Sequence, residues 1–285
     1  AYEIRLSLVG SEMCIRDSLH ARWREIPVLV HIHEMQRWIR ERSVKAKILR
    51  LLTRSCVDLK ATTYVSVSRK VEQFHQGRVI PQGAVSAIAL NPVDSKMRVD
   101  LVRQIRDASK FVLGFAGRIA AQKQPLFLVK VLSSLLHKGM NAELVVAGEG
   151  DLLPSLKERV LDQGLSERVR WLGWVEEMRD FYSSVDVVLV TSEQEGMPLV
   201  VLEAMACGVP VVSLDVGGIR EVLVHGETGF VAADEEEFIQ SILRLGDEKL
   251  RQRMSRAARQ RADSLPSTQS WITSIESLYK SGVSK

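Results

Sequence analysis

Cysteine is scarce in this chain, and long apolar runs are absent from it. The three cysteines, Cys14, Cys56 and Cys207, are odd in number and widely spaced. That pattern argues against a disulfide framework or a zinc site, and for a reducing compartment. No apolar run reaches about 18 residues, the length that a transmembrane helix requires, and the first residues lack the regions of a secretory signal. We therefore expect a cytoplasmic protein.

Charge is unevenly distributed, although 46% hydrophobic and 26% charged residues are ordinary for a globular protein. Residues 1–110 carry 20 Lys/Arg against 11 Asp/Glu, a net of +9, whereas residues 111–285 carry 19 against 24, a net of −5. Segment 36–55 combines seven basic side chains with apolar ones and predicts a basic amphipathic helix. Such a helix suits an anionic membrane surface, where the protein would be peripheral; a solvated face packed on its own domain is the alternative.

Residues 2–18 look foreign to the rest of the chain. Their sequence, YEIRLSLVGSEMCIRDS, resembles a peptide that recurs in unrelated translated metagenomic reads, where it derives from adapter sequence. We therefore expect residues 1–18 to be non-native, and the fold to begin near Leu19.

From Lys110 onward, short apolar runs alternate with helical patterns. The predicted strands are 111–117, 142–148, 169–175, 186–192 and 209–214, and the predicted helices are 125–139, 152–164, 176–185 and 198–207. Strands that are apolar throughout belong to a parallel sheet covered on both faces. Five of them with intervening helices predict a complete doubly wound α/β domain, which we place at 109–265.

Residues 19–108 show a weaker version of the same pattern. The predicted strands here are 27–34, 62–68 and 78–83, too few for a complete doubly wound domain. Two helices, 247–263 and 267–281, close the chain, and we expect the segment 266–285 to cross back to the N-terminal domain. The predicted fold is therefore α/β, with one complete Rossmann-like domain and one partial one.

Basic residues follow the first strand of the complete domain, at the edge where open α/β sheets bind ligands. Gly117 ends the strand, and Arg118 and Lys123 follow it. A fixed fork of donors and a mobile ammonium beside a glycine turn suit a diphosphate. The alternative is that both are ordinary surface side chains.

The stretch EGMPLVVLE adds two glutamates and a helix start. Pro198 sits where a first helical residue belongs, so the helix would direct backbone N–H groups at an anion. Gly196 permits close approach. Glu195 precedes the helix and Glu203 lies about five residues inside it, roughly 7–8 Å farther along the helix axis. The two glutamates can therefore accept hydrogen bonds from hydroxyls at two points of one ligand. A ligand with a diphosphate between two groups of hydroxyls is a sugar nucleotide. The alternative is that Glu195 caps the helix and Glu203 forms an ion pair with a basic residue.

Three motifs resemble those of the retaining glycosyltransferases of family 4, which have the GT-B fold. They are GRIAAQKQP (117–125), the E-x7-E spacing, and GGIREVLVHGETGF (217–230). The resemblance covers about residues 60–280. It implies a retaining hexosyltransferase-type enzyme of polysaccharide biosynthesis, which moves a sugar from a nucleotide-diphosphate-sugar donor to a glycan or lipid-linked acceptor. No nucleic acid partner is implied.

The resemblance also implies residue roles. Arg118 and Lys123 would hold the diphosphate and stabilise the leaving group. Glu195 would bind the hydroxyls of the donor sugar, and Glu203 the ribose. His33, in HIHEMQ, is similar to the family's histidine near the donor sugar, although a strand-end histidine can equally be structural. The further substrate-binding positions are Gly117, Trp174, Val175, Gly196, Met197, Pro198 and Leu199. No metal or other cofactor is expected, because basic side chains and a helix dipole stabilise the charge.

The sequence departs from the family pattern in two places. Arg220 stands where proline generally precedes Glu221, and by the family resemblance we expect the first half of the acceptor domain to be absent from this sequence. A fragment that binds the donor but transfers nothing is therefore one alternative. A nicotinamide-dependent oxidoreductase is another, but GEGDLL (148–153) lacks the third glycine of its G-x-G-x-x-G turn, and no acid follows at ribose spacing.

Overall fold

A computed structural model describes residues 5–7, 28–32, 61–75, 86–90, 92–93, 97 and 109–283. The chain divides into two compact units. The first unit contains Ala1–Pro92, Glu195–Met197 and Pro266–Lys285, and the second contains Val93–Gln194 and Pro198–Leu265. His33, the basic segment 36–55 and the predicted strand 78–83 lie outside the described residues.

Four described strands form the parallel sheet of the first unit, in the order β1-β2-β3-β4. They are β1 (Arg5–Ser7), β2 (Val28–Ile32), β3 (Ala61–Ser66) and β4 (Ser86–Ile88). Helix α1 (Arg69–His75) follows β3, and the Ser68 hydroxyl caps it by accepting the Val71 N–H at 3.1 Å. Although β1 pairs with Leu29–His31, strand pairing does not reveal where a segment comes from, so the foreign origin of residues 2–18 stays a prediction.

The last helix of the chain belongs to the first unit. Helix α9 is Thr268–Val283, and its Ile275 forms a small buried cluster with Val65 of β3. Trp271 and Leu278 of the same helix pack against this cluster. The apolar face of α9 therefore covers part of the first sheet.

The second unit is built on a six-stranded parallel sheet in the order β10-β9-β8-β5-β6-β7. Its strands are β5 (Phe111–Ala116), β6 (Ala142–Ala147), β7 (Val169–Gly173), β8 (Val187–Val190), β9 (Val211–Leu214) and β10 (Gly229–Ala232). All five strands predicted here are present, with ends within two residues of the predicted ones. The predicted doubly wound α/β fold is confirmed, and β10 is an additional strand.

Helices cover both faces of this sheet. They are α2 (Pro125–His137), α3 (Leu153–Asp162), α4 (Met178–Ser183), α5 (Leu199–Ala206), α6 (Ile219–Val222), α7 (Glu235–Leu245) and α8 (Glu248–Asp263), with 3-10 turns at Ala121–Lys123 and Ser166–Arg168. Between the sheet and these helices lies an apolar core, in which Phe127 of α2 and Phe238 of α7 contact with ring centroids 5.4 Å apart. Apart from the edge strand β7, whose Arg170 and Leu172 are exposed, the strands are buried on both faces, which explains their uninterrupted apolar runs.

Helix α5 begins one residue later than its predicted start. Pro198 has extended backbone angles, φ −69° and ψ 118°, and is the N-cap rather than the first helical residue. The Pro198 carbonyl accepts the first bond of the helix, from Val201 N–H at 3.1 Å. Because proline fixes φ near −65° in either position, the sequence alone did not separate the two.

Candidate active site

The sheet of the second unit reverses its winding between β5 and β8. From β5 the chain moves to β6 and β7 on one side, and β8, β9 and β10 build outward on the other. The loops that follow β5 and β8 therefore lie at the topological switch point of the sheet, at the carboxyl ends of its strands, where an open α/β fold places its binding crevice. In open α/β sheets ligands bind at such a switch point.

Three hydrogen bonds join the loop after β5 to the loop after β8. The Gln122 side chain donates to Gln194 O at 2.9 Å, and Glu193 N–H donates to Gln122 O at 2.9 Å. The hydroxyl of Thr191, which is fully buried, donates to Lys123 O at 2.6 Å. These bonds hold the backbone of Lys123 against the end of β8.

Lys123 lies over Gly117, the glycine that directly follows β5. Its Cε is 4.0 Å from the position that a Cβ on Gly117 would occupy, and Gly117 has φ +148°, which disfavours any other residue. The structure thus brings Gly117 and Lys123 together at the switch point, and their role in holding a diphosphate stays a prediction.

Arg118 occupies the rim of this site. Its guanidinium forms an ion pair with Asp151, which follows β6, at 3.6 Å, and the two side chains are 72% and 84% exposed. Exposed pairs contribute little free energy, so an incoming anion can displace Asp151 at small cost. Asp151 was not among the predicted site residues, because its proximity to Arg118 depends on how the two loops pack.

The loops after β5 and β6 run in close contact. Gly117 N–H donates to Ala147 O at 3.0 Å, and Ile119 N–H donates to Glu149 O at 2.8 Å. A Cβ on Gly148 would lie 2.0 Å from the Gly117 carbonyl oxygen. The two loops can therefore pack this closely only because residue 148 is a glycine and has no side chain.

Substituting Gly148 by alanine should destabilise the second unit strongly. Gly148 has φ +130° and no room for a methyl group. Gly164→Ala is the matched control, because Gly164 also has positive φ, +65°, but has nothing within 4 Å of its Cβ position. We expect the control to lose about 1–2 kcal/mol of unfolding free energy, and Gly148→Ala to lose at least about 2 kcal/mol more. Urea denaturation measures both, and equal losses would contradict the close contact with Gly117.

The two glutamates of the E-x7-E motif differ in their surroundings. Glu195 is 8% exposed and begins the three-residue stretch that groups with the first unit. Gly196 and Met197 of this stretch are also buried, whereas Leu199, the first residue of α5, is 53% exposed. Glu203 lies on the second turn of α5 and is partly exposed.

Tyr182, like Asp151, is a residue near the candidate site that the sequence did not predict. Its hydroxyl donates to Glu203 Oε2 at 2.7 Å, and the side chain is 1% exposed. Burial, and then the negative charge of Glu203, raise the pKa of Tyr182 well above its ordinary value, so the phenol remains a donor. The sequence alternative for Glu203 was a basic partner, and no pattern in the sequence pointed to a tyrosine 21 positions earlier.

Cys207, at the end of α5, lies near the same carboxylate. Burial, and then the charge of Glu203, raise the pKa of its thiol to about 12, against the opposing effects of Arg259 and Arg179. The thiol donates to Met97 O at 3.7 Å. Cys207 is therefore a protonated, buried side chain at neutral pH.

The stability of the protein should fall as the pH rises from about 9 to about 12. The Cys207 pKa is about 12 in the folded protein and 9.0 ordinarily, so within this window the unfolded chain releases a proton that the folded chain retains. Unfolding is favoured as a result, by at most about 1.4 kcal/mol per pH unit for one proton. Urea denaturation at pH 8 to 11 should show a shallower decline for Cys207→Ser than for the parent chain, and parallel declines would contradict the assignment.

The remaining predicted residues lie apart from the switch point or outside the described structure. Trp174 and Val175 follow β7, which is the edge strand beyond β6, and Trp174 is 75% exposed. Arg220, the departure from the family pattern, donates through Nε to Asp215 Oδ2 at 3.0 Å, which ties α6 to the loop after β9. His33 cannot be placed because it is outside the described residues.

Comparison with known proteins gives a family for most of the second unit. Residues 110–248 match the family model of glycosyl transferases group 1. An uncharacterised glycosyltransferase of Methanocaldococcus jannaschii is 37% identical over 127 residues, which are 44% of this chain and 32% of that protein. The UDP-Gal:alpha-D-GlcNAc-diphosphoundecaprenol alpha-1,3-galactosyltransferase of Escherichia coli is 29% identical over 189 residues, which are 64% of this chain and 48% of that protein.

Solved structures with the same fold cover nearly the whole chain. Sucrose-phosphate synthase from Thermosynechococcus elongatus has a TM-score of 0.82 at 20% identity, and the similarity covers 94% of this chain and 71% of the synthase chain. The Anabaena protein HepE, in complex with UDP, has a TM-score of 0.77 at 19% identity and covers 95% of this chain and 77% of its own.

These likenesses, with the winding of the sheet, define an α/β protein of the GT-B fold class. Within it, residues 110–248 resemble the family of glycosyl transferases group 1, whose model they match. The chain spans 32% and 48% of the length of the two curated relatives named above. Across the described residues, no helix has the length and apolarity needed to cross a membrane.

Proposed function

We propose that this chain binds a nucleotide-diphosphate sugar and contributes to the transfer of its sugar, with retention of configuration, as in the glycosyltransferases of family 4. The observation that carries the proposal is the position of Lys123, whose side chain lies over Gly117 at the switch point between β5 and β8. The N-terminus of α5 follows the neighbouring strand. A cationic side chain and a helix N-terminus at one crevice favour a diphosphate.

In this proposal the chain's own groups stabilise the departing diphosphate without a metal. Lys123 and the N-terminus of α5 hold its oxygens, and Arg118 exchanges Asp151 for a phosphate oxygen. Preorganised positive charge of this kind lowers the barrier when negative charge develops on the leaving group. In a retaining transfer the acceptor approaches the face from which the diphosphate leaves, so the diphosphate itself can accept the acceptor's proton.

The carboxylates are proposed to read the two ends of the donor. Glu195 would accept hydrogen bonds from the sugar hydroxyls, and Glu203 from the ribose. Trp174 and Val175 follow β7, two strands beyond β5, and would meet the base if the nucleotide extends along this edge of the sheet. His33, Met197 and the backbone from Gly196 to Leu199 are proposed to border the sugar, as the family resemblance implies.

The acceptor is proposed to be a glycan or a lipid-linked sugar. Relatives include a galactosyltransferase whose substrate, by its name, is diphosphoundecaprenol-linked, and the basic segment 36–55 suits an anionic membrane surface. We propose a cytoplasmic enzyme that is peripheral at the inner face of the membrane.

A donor-binding module without transfer is the second candidate. It is favoured by the share of the curated relatives that the chain spans, 32% and 48% for the first two. Donor binding and sugar transfer, measured side by side on this chain and on a longer protein that contains it, separate the two candidates. Binding by both with transfer by the longer protein alone would favour the module.

Glu195→Ala should impair recognition of the sugar and spare the free nucleotide. A thermal-shift screen of nucleotide sugars finds the donor, and calorimetry then compares the donor with its nucleoside diphosphate. We expect the donor's affinity to fall about tenfold or more, the value of one or two hydrogen bonds to a charged group, and that of the diphosphate to change little. Glu193→Ala is the control, since Glu193 is an exposed neighbour of the same charge. A donor affinity unchanged by Glu195→Ala would contradict the assigned role.

A further inference from the structure

We propose that Tyr182 is a positioning residue, which holds the Glu203 carboxylate in the orientation that recognises a ribose hydroxyl of the bound nucleotide. This inference rests on the proposed function, because Glu203 meets a ribose only if the crevice binds a nucleotide. It extends that function by a residue outside the motifs that the sequence resembles.

The phenol of Tyr182 has one hydrogen-bond donor, and it donates to Glu203. The Tyr182 hydroxyl is 2.7 Å from Glu203 Oε2 and 3.5 Å from Val200 O, the latter at the limit of a hydrogen bond. The terminal torsion of a glutamate is broad, so an unanchored carboxylate samples many orientations. A bond to one oxygen removes this freedom and fixes where the other oxygen points.

Tyr182 is itself held rigidly. Its ring is 1% exposed and contacts the ring of Phe181 edge-on, with centroids 5.2 Å apart. Phe181 in turn fits against β5 at Gly114, where a Cβ would lie 2.9 Å from the Phe181 ring. The donor is therefore fixed by the core of the second unit, and it orients the carboxylate before any ligand arrives.

That Tyr182 is paired with a carboxylate indicates a role beyond supplying a hydrogen-bond acceptor for a buried phenol. A buried tyrosine needs one acceptor, and a neutral carbonyl serves that need without placing a negative charge close to Cys207. Glu203 is moreover partly exposed, on the face of α5 that carries Leu199 and Val200, while the opposite face is buried. A carboxylate with one oxygen anchored inside the core and an outward-facing side is suited to accept from a hydroxyl.

The test compares nucleotides that differ only in the ribose hydroxyls. Calorimetry measures the binding of UDP and of 2′,3′-dideoxy-UDP to the parent chain and to Tyr182→Phe; if the parent prefers GDP, GDP and its dideoxy analogue replace them. We expect Tyr182→Phe to lower the affinity for the ribonucleotide about 3- to 10-fold and that for the dideoxy analogue less than about 2-fold. The preference for the ribonucleotide should therefore shrink.

Two further variants separate positioning from folding. Ser183→Ala removes another hydroxyl of the same helix, which donates to Asp180 O at 2.8 Å, and should leave the preference unchanged. Glu203→Gln should itself reduce the preference, and adding Tyr182→Phe to it should reduce the preference no further.

The outcomes distinguish this inference from the function on which it rests. If the parent prefers the ribonucleotide and Tyr182→Phe prefers it equally, or loses affinity equally for both nucleotides, Tyr182 is structural and the inference is wrong. If the parent binds both nucleotides equally, the ribose role of Glu203 is wrong and the inference falls with it. If the parent binds no nucleoside diphosphate or nucleotide sugar, the proposed function itself is wrong.

Discussion

Lys123→Ala should weaken the binding of a nucleoside diphosphate by about 1.5–3 kcal/mol, the usual value of a hydrogen bond to a charged group. This corresponds to roughly 10- to 150-fold in the dissociation constant. The reason is geometric, because the Lys123 side chain lies over Gly117 and its backbone is fixed by Thr191. Because the loop that carries Lys123 is already ordered, binding of the anion should cost little further conformational entropy. Calorimetry with UDP and GDP measures the change.

Lys138→Ala is the matched control for this experiment. It removes the same charge from the opposite end of α2, where Lys138 is exposed and lies 3.9 Å from Glu236. We expect its affinity to equal that of the parent chain. Arg118→Ala should fall between the two variants, since Arg118 must leave Asp151 to reach the ligand. If Lys123→Ala binds both nucleotides as tightly as Lys138→Ala does, the diphosphate site is misplaced.

Asp186→Ala should lower the free energy of unfolding by about 3–5 kcal/mol, the typical loss when one partner of a buried ion pair is removed. Asp186 Oδ2 accepts the Val112 N–H at 2.9 Å, and Oδ1 lies 3.4 Å from Arg251 Nε. The two charged side chains are 3% and 13% exposed. Without the carboxylate, the Arg251 guanidinium would remain in the core beside Phe111, over whose ring it lies at 5.4 Å.

Urea denaturation tests this loss, and Lys138→Ala again serves as the control. That variant breaks an exposed pair and should change the free energy of unfolding by less than about 1 kcal/mol. Asp186 precedes β8, at the edge of the sheet opposite the crevice, so Asp186→Ala should bind nucleotides normally wherever it is folded. Equal stability of the two variants would contradict the structural weight given to the Asp186–Arg251 pair.

The sequence predicted the second unit well because its elements carry strong local signals. The apolar runs of β5, β6, β8 and β9 are long enough to define buried strands, and Gly139 and Gly164 mark helix ends with φ of +84° and +65°. Helix α7, which was not predicted, also has a start signal in its sequence. Asp234 accepts the Glu237 N–H, and the Glu237 side chain accepts the Ala233 N–H, a reciprocal cap visible as D-x-x-E in the sequence.

For the candidate site, the sequence predicted which loop or helix carries each residue but not which side chains pair. The order of strands and loops put Gly117, Arg118, Lys123 and Glu203 in the expected loops and helix. The partners Asp151 and Tyr182 were not predictable, because Arg118 and Asp151 are 33 residues apart and side-chain pairing at that separation depends on tertiary packing. Propensity and periodicity describe one element at a time, and they contain no information on such pairs.

A crystal structure of the chain with UDP or GDP bound would locate the diphosphate site. We expect the diphosphate to lie at the switch point between β5 and β8, with its oxygens within hydrogen-bonding distance of Lys123 Nζ and of backbone N–H groups at the start of α5. A diphosphate bound elsewhere on the chain, or one at the crevice that Lys123 does not contact, would contradict this prediction.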